Sequence, residues 1–312
     1  MGRRPSPGKG HIRRPTRLEK RGDHYHGGFE AMGSPCSILV ETEDGKLAQE
    51  LLRCVAWEAW RIEAKFSRYR KDSVVWAINA SRGARIRVDE ETARLLDFSR
   101  LCHQLSQGLF DITSGVLGKV WKFDGGDRLP RDEDVQALLP YVGWEKVEWE
   151  TPYIMLPEGM RIDLGGLGKE YAVDRALSLA RSEAAAPMVV NFGGDMAVGG
   201  PRAGSQPWIV GVEDPGIVEN NQERAAIRSL KSTGGGLATS GDSRRFLLKD
   251  GKRYGHVLNP RTGWPVEGAA QSVTVADDSC AKAGMLATLA ILQGPGAEEF
   301  LEGEGVVHWV TR

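Results

Sequence analysis

The chain has 312 residues, enough for one large domain or two ordinary ones, and its 41% hydrophobic and 27% charged content is that of a globular protein with a sizeable core. A formal net charge of −1 gives no whole-chain case for nucleic acid, and no apolar run approaches the ~20 residues that span a bilayer. The four cysteines (Cys36, Cys54, Cys102, Cys280) are far apart and form no CxxC pair, which argues against a disulfide framework or a structural zinc site and for buried free thiols in a reducing compartment.

Residues 1–28 read as a disordered basic tail, crowded with Arg3, Arg4, Lys9, Arg13, Arg14, Arg17, Lys20 and Arg21 and broken by Pro5, Pro7 and Pro15. His24 and His26 fall at its end as incidental polar residues. The tail has no apolar h-region, so no export signal is visible; cytoplasmic placement is the expectation as written, with periplasmic or exported placement left open.

Order is expected from about Phe29, in one domain over 29–312. Cys36–Thr42 is β-rich and partly alternating, a strand entered through Met32-Gly33-Ser34-Pro35. After the Asp44-Gly45 turn, Leu47, Leu51, Val55, Ile62 and Phe66 recur at helical spacing over Lys46–Phe66. A polar loop carrying Tyr69 precedes a short helix, Val74–Asn79. Ala84–Val88 reads as a short strand. Asp89 then caps a helix that runs to Gln107, buries Leu95, Phe98, Leu101 and Leu105, and stops at Gly108. Val147–Trp149 and Tyr153–Leu156 read as a hairpin.

The stretch Arg161-Ile-Asp-Leu-Gly-Gly-Leu-Gly-Lys-Glu-Tyr-Ala-Val-Asp174 puts Asp163 at a strand end, three glycines after it, and a helix opening at about Lys169. Glycines admit a ligand to the main chain, and a helix start offers unpaired N–H groups to an anion. A phosphorylated ligand or a metal fits this pattern, and so does a tight turn with no ligand.

Downstream, Pro187–Asn191 is a buried strand leading into a second glycine pair with an acid, Asp195. Trp208–Pro215, Ile227–Leu230 and Gln271–Val275 are strand-like. Thr233–Asp242 has the composition of a phosphate loop without the GxxxxGK[ST] spacing, and no GxGxxG follows a strand, so neither a P-loop nor a Rossmann site is supported. Phe246–Leu248 and Tyr254–Leu258 form a hairpin about Asp250-Gly251. Ser279–Leu292 and Ala297–Leu301 are helical, and Val306–Val310 is a closing strand. Strands and helices mix without regular βαβ alternation, which points to an α+β fold.

Several of these segments, in this order, resemble the ApbE family of flavin transferases. They are Met32-Gly-Ser-Pro35; Ser67-Arg-Tyr-Arg-Lys-Asp-Ser73 through Asn79; Phe110-Asp-Ile-Thr-Ser-Gly-Val-Leu117 with Trp121-Lys-Phe123; Ile162-Asp-Leu-Gly-Gly-Leu-Gly-Lys169; Asn191-x-Gly-Gly-Asp195; Thr239-Ser-Gly-Asp242; and His256-Val-Leu-Asn-Pro-x-Thr-Gly263. The resemblance covers the chain from Met32 onward. It implies mixed, mostly antiparallel sheets flanked by helices, and Mg²⁺-dependent transfer of FMN from FAD to a threonine or serine of an acceptor protein with release of AMP. It further implies that Met32, Tyr69, Leu109, Phe110, Asp111, Asp163, Lys169 and Val257 hold FAD. By the same likeness Gly166, through its carbonyl, and Thr288 hold the metal. His256, whose unperturbed pKa lies near neutrality, takes the hydroxyl proton.

Two positions depart from the family pattern. The metal segment reads Cys280-Ala-Lys-Ala-Gly284-Met-Leu-Ala-Thr288, with Gly284 where the family has aspartate; Asp277 or Asp278 before the helix, at a spacing that is not the family's, and Glu170, which stands where glycine is common, are the alternative acids. A hard cation favours charged oxygen. Gly284 therefore also admits an FAD-binding protein without transfer, and the same site admits an FAD pyrophosphatase; restoring Gly284→Asp is expected to raise Mg²⁺ affinity.

Overall fold

The computed structural model describes residues 14–213, 226–242 and 245–312. Its frame is one eight-stranded sheet whose strands lie side by side in chain order: Thr16–Arg21, His24–Ala31, Ser34–Val40, Met188–Phe192, Asp195–Val198, Gly235–Gly241, Ser272–Asp277 and Val307–Thr311. Every neighbouring pair is antiparallel. The α+β expectation holds, with helices inserted between the strands of a simple meander.

Alternation along the strands sends Phe29, Ile38, Val190 and Phe192 into the main core, which they share with the helices Gly45–Phe66, Gly168–Glu183 and Cys280–Leu292. The first of these is capped by Asp44, which accepts from the N–H groups of Lys46 and Leu47, and it buries the stripe Leu51, Leu52, Val55, Ala59, Ile62 and Phe66. Gly27 lets that helix sit close to the sheet: a Cβ there would come within 2.8 Å of Leu52 Cδ1. The other face packs Val189, Val198 and Trp208 together, and beside them Met196, Val210 and Leu237, so the ribbon Trp208–Glu213/Ala226–Ser232 covers it. A satellite core of Val116, Leu117, Trp121, Val135, Val142 and Leu247 holds the segments around residues 112–142 and 246–264, and Trp121 Nε1 donates to the Gly263 carbonyl at 2.9 Å.

Four expectations change. Residues 1–13 lie outside the described residues, but Thr16–Arg21 and His24–Ala31 are the first two strands of the sheet, so the tail is not disordered through residue 28. Thr16–Arg21 is an edge strand, polar because little of it is buried; His24 packs edge-on against Trp208 with ring centroids 6.3 Å apart. Leu101 and Leu105 are exposed, because the buried stripe of helix Glu90–Leu105 runs through Thr92, Leu95, Leu96, Ser99 and Cys102. The hairpin after Asp250 ends at Gly255, so His256 and Val257 leave the strand. Finally, the glycine run resembling a phosphate loop is the strand Gly235–Gly241, well inside the sheet.

That run has a packing reason. A Cβ on Gly236 would fall onto the backbone of Ser279 and Cys280, where helix Cys280–Leu292 begins. Gly236→Ala should force the helix off the strand and cost roughly 3 kcal/mol or more of stability, read as a lowered urea midpoint at unchanged m.

Candidate functional site

The structure gathers most of the expected site residues into two adjoining groups. The first is built on Asp163. Its N–H donates to the Ile112 carbonyl at 2.8 Å, and Gly115 packs so closely that a Cβ there would come within 2.7 Å of the Asp163 Cβ. Asp163 Oδ1 accepts from the Gly165 N–H at 3.0 Å, fixing the glycine turn, while Oδ2 accepts from Arg68 Nη1 at 2.7 Å. Arg68 Nη2 donates to Tyr69 Oη at 2.6 Å, and the guanidinium lies 4.8 Å from the Tyr69 ring centroid. Tyr69 is 79% exposed, an open aromatic face at the end of this chain of contacts. Gly166 faces Phe110, whose Cε2 lies 3.8 Å from where a Gly166 Cβ would be. Met32, Leu109 and Val257 are partly buried against the main core, and Met32 takes the left-handed backbone (φ 53°) in the turn between the second and third strands.

The second group is buried between the sheet and two helices. Lys169 Nζ lies 2.6 Å from Asp195 Oδ2, and Asp195 Oδ1 accepts from the Thr239 N–H at 3.1 Å. Burial alone would lower the Lys169 pKa; the charges of Asp195 and Glu170 outweigh it and raise the value. Thr288 Oγ1 donates to Ser240 Oγ at 3.3 Å. Glu170 points into this group, its pKa raised first by burial and next by Asp195. Among the described residues its Oε2 is buried without a hydrogen-bond partner.

Gly284 lies directly against Glu170: a Cβ at 284 would come 2.6 Å from Glu170 Cγ and 3.0 Å from Oε1. Gly284→Asp alone would therefore press on the acid already present, so a rise in Mg²⁺ affinity requires Glu170 to move aside. Glu170 also settles whether the donor set suits a hard divalent ion. An orphaned carboxylate oxygen in a buried polar group, with the Thr288 hydroxyl one turn along the helix from Gly284, is a fit for Mg²⁺.

His256 is half-buried, with Phe123 at 6.3 Å between ring centroids, and among the described residues its buried Nδ1 has no hydrogen-bond partner. Burial, then the charges of Arg245 and Lys169, lower its pKa to about 4, so it is neutral at physiological pH for a different reason than its unperturbed value suggested. Asp111 faces away from both groups. Its carboxylate accepts from Thr113 N–H (2.8 Å), Thr113 Oγ1 (2.6 Å) and Trp144 N–H (2.8 Å), with His103 Nε2 at 3.5 Å. A cavity of 530 Å³ opens beside it, lined by His103, Gln107, Glu145 and Arg261; of the residues expected to hold FAD, only Asp111 lines it.

On sequence alone Arg68 and Asp195 carry no site role, although both stand inside the family segments, and Glu170 enters only as an acid that could compensate for Gly284. Their shared signal was charge beside glycine or aromatic residues. What joins Glu170 to Gly284 is a contact between two helices, which spacing along the chain does not reveal.

The meander and the meeting of these segments define an α+β protein with a buried polar site beside a glycine turn. The chain belongs to the ApbE family, whose model matches residues 32–309. It is 29% identical over 264 residues to an FAD:protein FMN transferase of Vibrio cholerae, covering 83% of this chain and 74% of that one. It is 27% identical over 321 residues to the FAD:protein FMN transferase of Escherichia coli K12, covering 99% and 88%. The crystal structure of the ApbE protein of Thermotoga maritima superposes with a TM-score of 0.83 at 31% identity, covering 92% of this chain and 94% of that one. Among the described residues, no helix is long and apolar enough to cross a membrane.

Two outcomes follow from the geometry. Asp111→Asn leaves one acceptor oxygen for three donors and should cost about 2 kcal/mol of stability, read by denaturant melts. His256 has a folded pKa of about 4 against 6.5 in the unfolded chain, so below pH 6.5 the unfolded state binds the extra proton. Its contribution to stability is complete above that pH and is lost as pH falls toward 4, by roughly 2 kcal/mol at pH 5. Between pH 7 and 5 the urea midpoint of His256→Asn should fall less than that of the parent protein; equal falls would show that His256 contributes nothing to the acid limb.

Proposed function

We propose that this chain is an Mg²⁺-dependent FAD:protein FMN transferase that esterifies FMN to a threonine or serine of an acceptor protein and releases AMP. The observation that carries the reading is the convergence of family segments far apart in sequence (Phe110, Asp163, Gly166, Lys169, Asp195 and His256) on one partly buried polar region, together with membership of the family. Two features favour phosphoryl chemistry there. Lys169 is held charged by Asp195, and His256 is held neutral by burial and by the cations near it.

In this reading the acceptor hydroxyl oxygen attacks the phosphorus nearer the flavin. The new P–O bond forms as the bridging P–O bond breaks, AMP leaves with that electron pair, and the hydroxyl proton passes to Nδ1 of His256. Lys169 orients and neutralises phosphate oxygens, Tyr69 and Phe110 offer aromatic surface to rings, and the glycines after Asp163 bring main-chain groups close to the ligand. Glu170, the Gly166 carbonyl and Thr288 would hold Mg²⁺, which supplies charge stabilisation to the transferred group when bound. Partial burial of His256 restricts the access of bulk water to the base and limits hydrolysis.

The test incubates the purified protein with FAD, MgCl₂ and an acceptor protein, and reads AMP together with flavin fluorescence on a denaturing gel. Equal yields of AMP and protein-bound flavin support transfer. Free FMN without acceptor would make the protein a pyrophosphatase, and bound FAD with neither product a binding protein, the reading that Gly284 admits on sequence alone. His256→Ala should lower transfer by about 10²-fold or more while FAD affinity changes only a few-fold.

A further inference from the structure

We propose that Glu170 is the metal-binding carboxylate of this chain, delivered from helix Gly168–Glu183 into the place that a side chain at position 284 of helix Cys280–Leu292 would occupy. The inference rests on the transferase reading for the identity of the ion, Mg²⁺, and on geometry for the identity of the ligand.

The two helices carry matching contacts. Asp174 accepts from the Cys280 N–H at 3.0 Å and from the Ala281 N–H at 2.9 Å, while Glu170 lies against Gly284. A step of four residues back on one helix thus meets a step of four forward on the other, so the helices run antiparallel at this contact and each step is one turn. The same advance leads from Gly284 on toward Thr288, while Gly166 sits in the turn just ahead of the helix that carries Glu170. The Glu170 carboxylate and the Thr288 hydroxyl are therefore successive offerings along one seam.

Occupancy of space supports the exchange. Glu170 Cγ and Oε1 lie 2.6 Å and 3.0 Å from where a Gly284 Cβ would be, so the glycine provides the volume that the acid fills. Glutamate is one methylene longer than aspartate, which lets a carboxylate from the facing helix reach the region a shorter acid at 284 would enter. Charge supports it too. Lys169 pairs with Asp195. Asp174 is committed to the start of helix Cys280–Leu292. Among the described residues Glu170 has neither an ion pair nor a partner for Oε2. A buried carboxylate oxygen without a partner is costly, and a bound cation is one of the few things that explain it.

Mn²⁺ serves as the probe, since its binding to the FAD-loaded protein is counted by the loss of the free-ion EPR signal without turnover. The parent protein should take up one ion per chain. Glu170→Gln, which keeps the volume and removes the charge, should weaken Mn²⁺ by at least about tenfold. The paired exchange Glu170→Gly with Gly284→Asp should return affinity to within a few-fold of the parent, because it restores an acid from the other helix. Parent-like binding by Glu170→Gln overturns the inference, as does the absence of Mn²⁺ binding by the parent. So does a paired variant that melts like the parent yet still binds weakly. If Glu170→Gln fails to fold, the paired variant decides alone by the same criterion. Because the ion is counted without an acceptor, a protein that binds Mn²⁺ as described and transfers no flavin counts against the transferase reading and leaves the assignment of Glu170 standing.

Discussion

The Asp174 carboxylate is the contact on which the arrangement of the buried site depends. It accepts from the first two backbone N–H groups of helix Cys280–Leu292, while Ser279 caps the same helix through the Lys282 N–H. These donors have no partner inside the helix, and an acid near a helix start is favoured by the macrodipole as well as by the hydrogen bonds. Because Asp174 belongs to helix Gly168–Glu183, satisfying one helix end also sets its register against a second helix. Gly236 sets the third side by letting the same helix start press onto the strand Gly235–Gly241. With strand and both helices fixed, the positions of Glu170, Gly284, Ser240 and Thr288 follow.

The electrostatics of the region follow from that enclosure. Lys169 stays charged because Asp195 accompanies it, and Asp195 is in turn positioned by the Thr239 N–H. Burial first, and then Arg245 and the same lysine, make a positive charge on His256 unfavourable and keep its imidazole neutral. A neutral imidazole near a held cation suits a reaction that removes a proton from a hydroxyl while negative charge gathers on phosphate. A base with so low a pKa is a weak one in the ground state. Its usefulness depends on the negative charge of the bound nucleotide, which would offset Lys169 and raise that pKa as the site fills.

Much of the architecture was legible in the sequence where one physical signal dominated. The apolar stripe of Gly45–Phe66, the Asp89 cap and the Ser73–Asn79 turn into a short helix all emerge as read, because periodicity and capping act over a few residues. Errors came where tertiary packing overrode local chemistry. Residues 16–28 looked like tail, and the edge strand Thr16–Arg21 within them, with one partner, carries charge on exposed positions. Gly235–Gly241 looked like a loop because its glycines answer to a helix distant in sequence. Leu101 and Leu105 were assigned to a core face that Ser99 and Cys102 occupy instead, since apolar identity alone does not choose between two helical stripes. Asp111, an FAD residue by likeness, also has its oxygens on Thr113 and Trp144, where they join two loops, a role that local sequence does not display.

Gly284 illustrates how a site can be misread position by position. A glycine inside a helix costs about 1 kcal/mol relative to alanine, so its presence needs a reason that helix stability does not supply. The contact with Glu170 gives one: any side chain at 284 would compete with that acid for the same volume. The reverse also holds. An acid at 284 would require a small residue at 170, since two carboxylates in one buried space would repel each other and leave one proton-bound. The two positions are therefore constrained as a pair, glycine opposite acid, and either assignment leaves one carboxylate in the space between the helices. A residue-by-residue comparison records a missing ligand at 284 and an odd acid at 170; the packing makes them a single exchange, with the number of carboxyl groups between the helices unchanged.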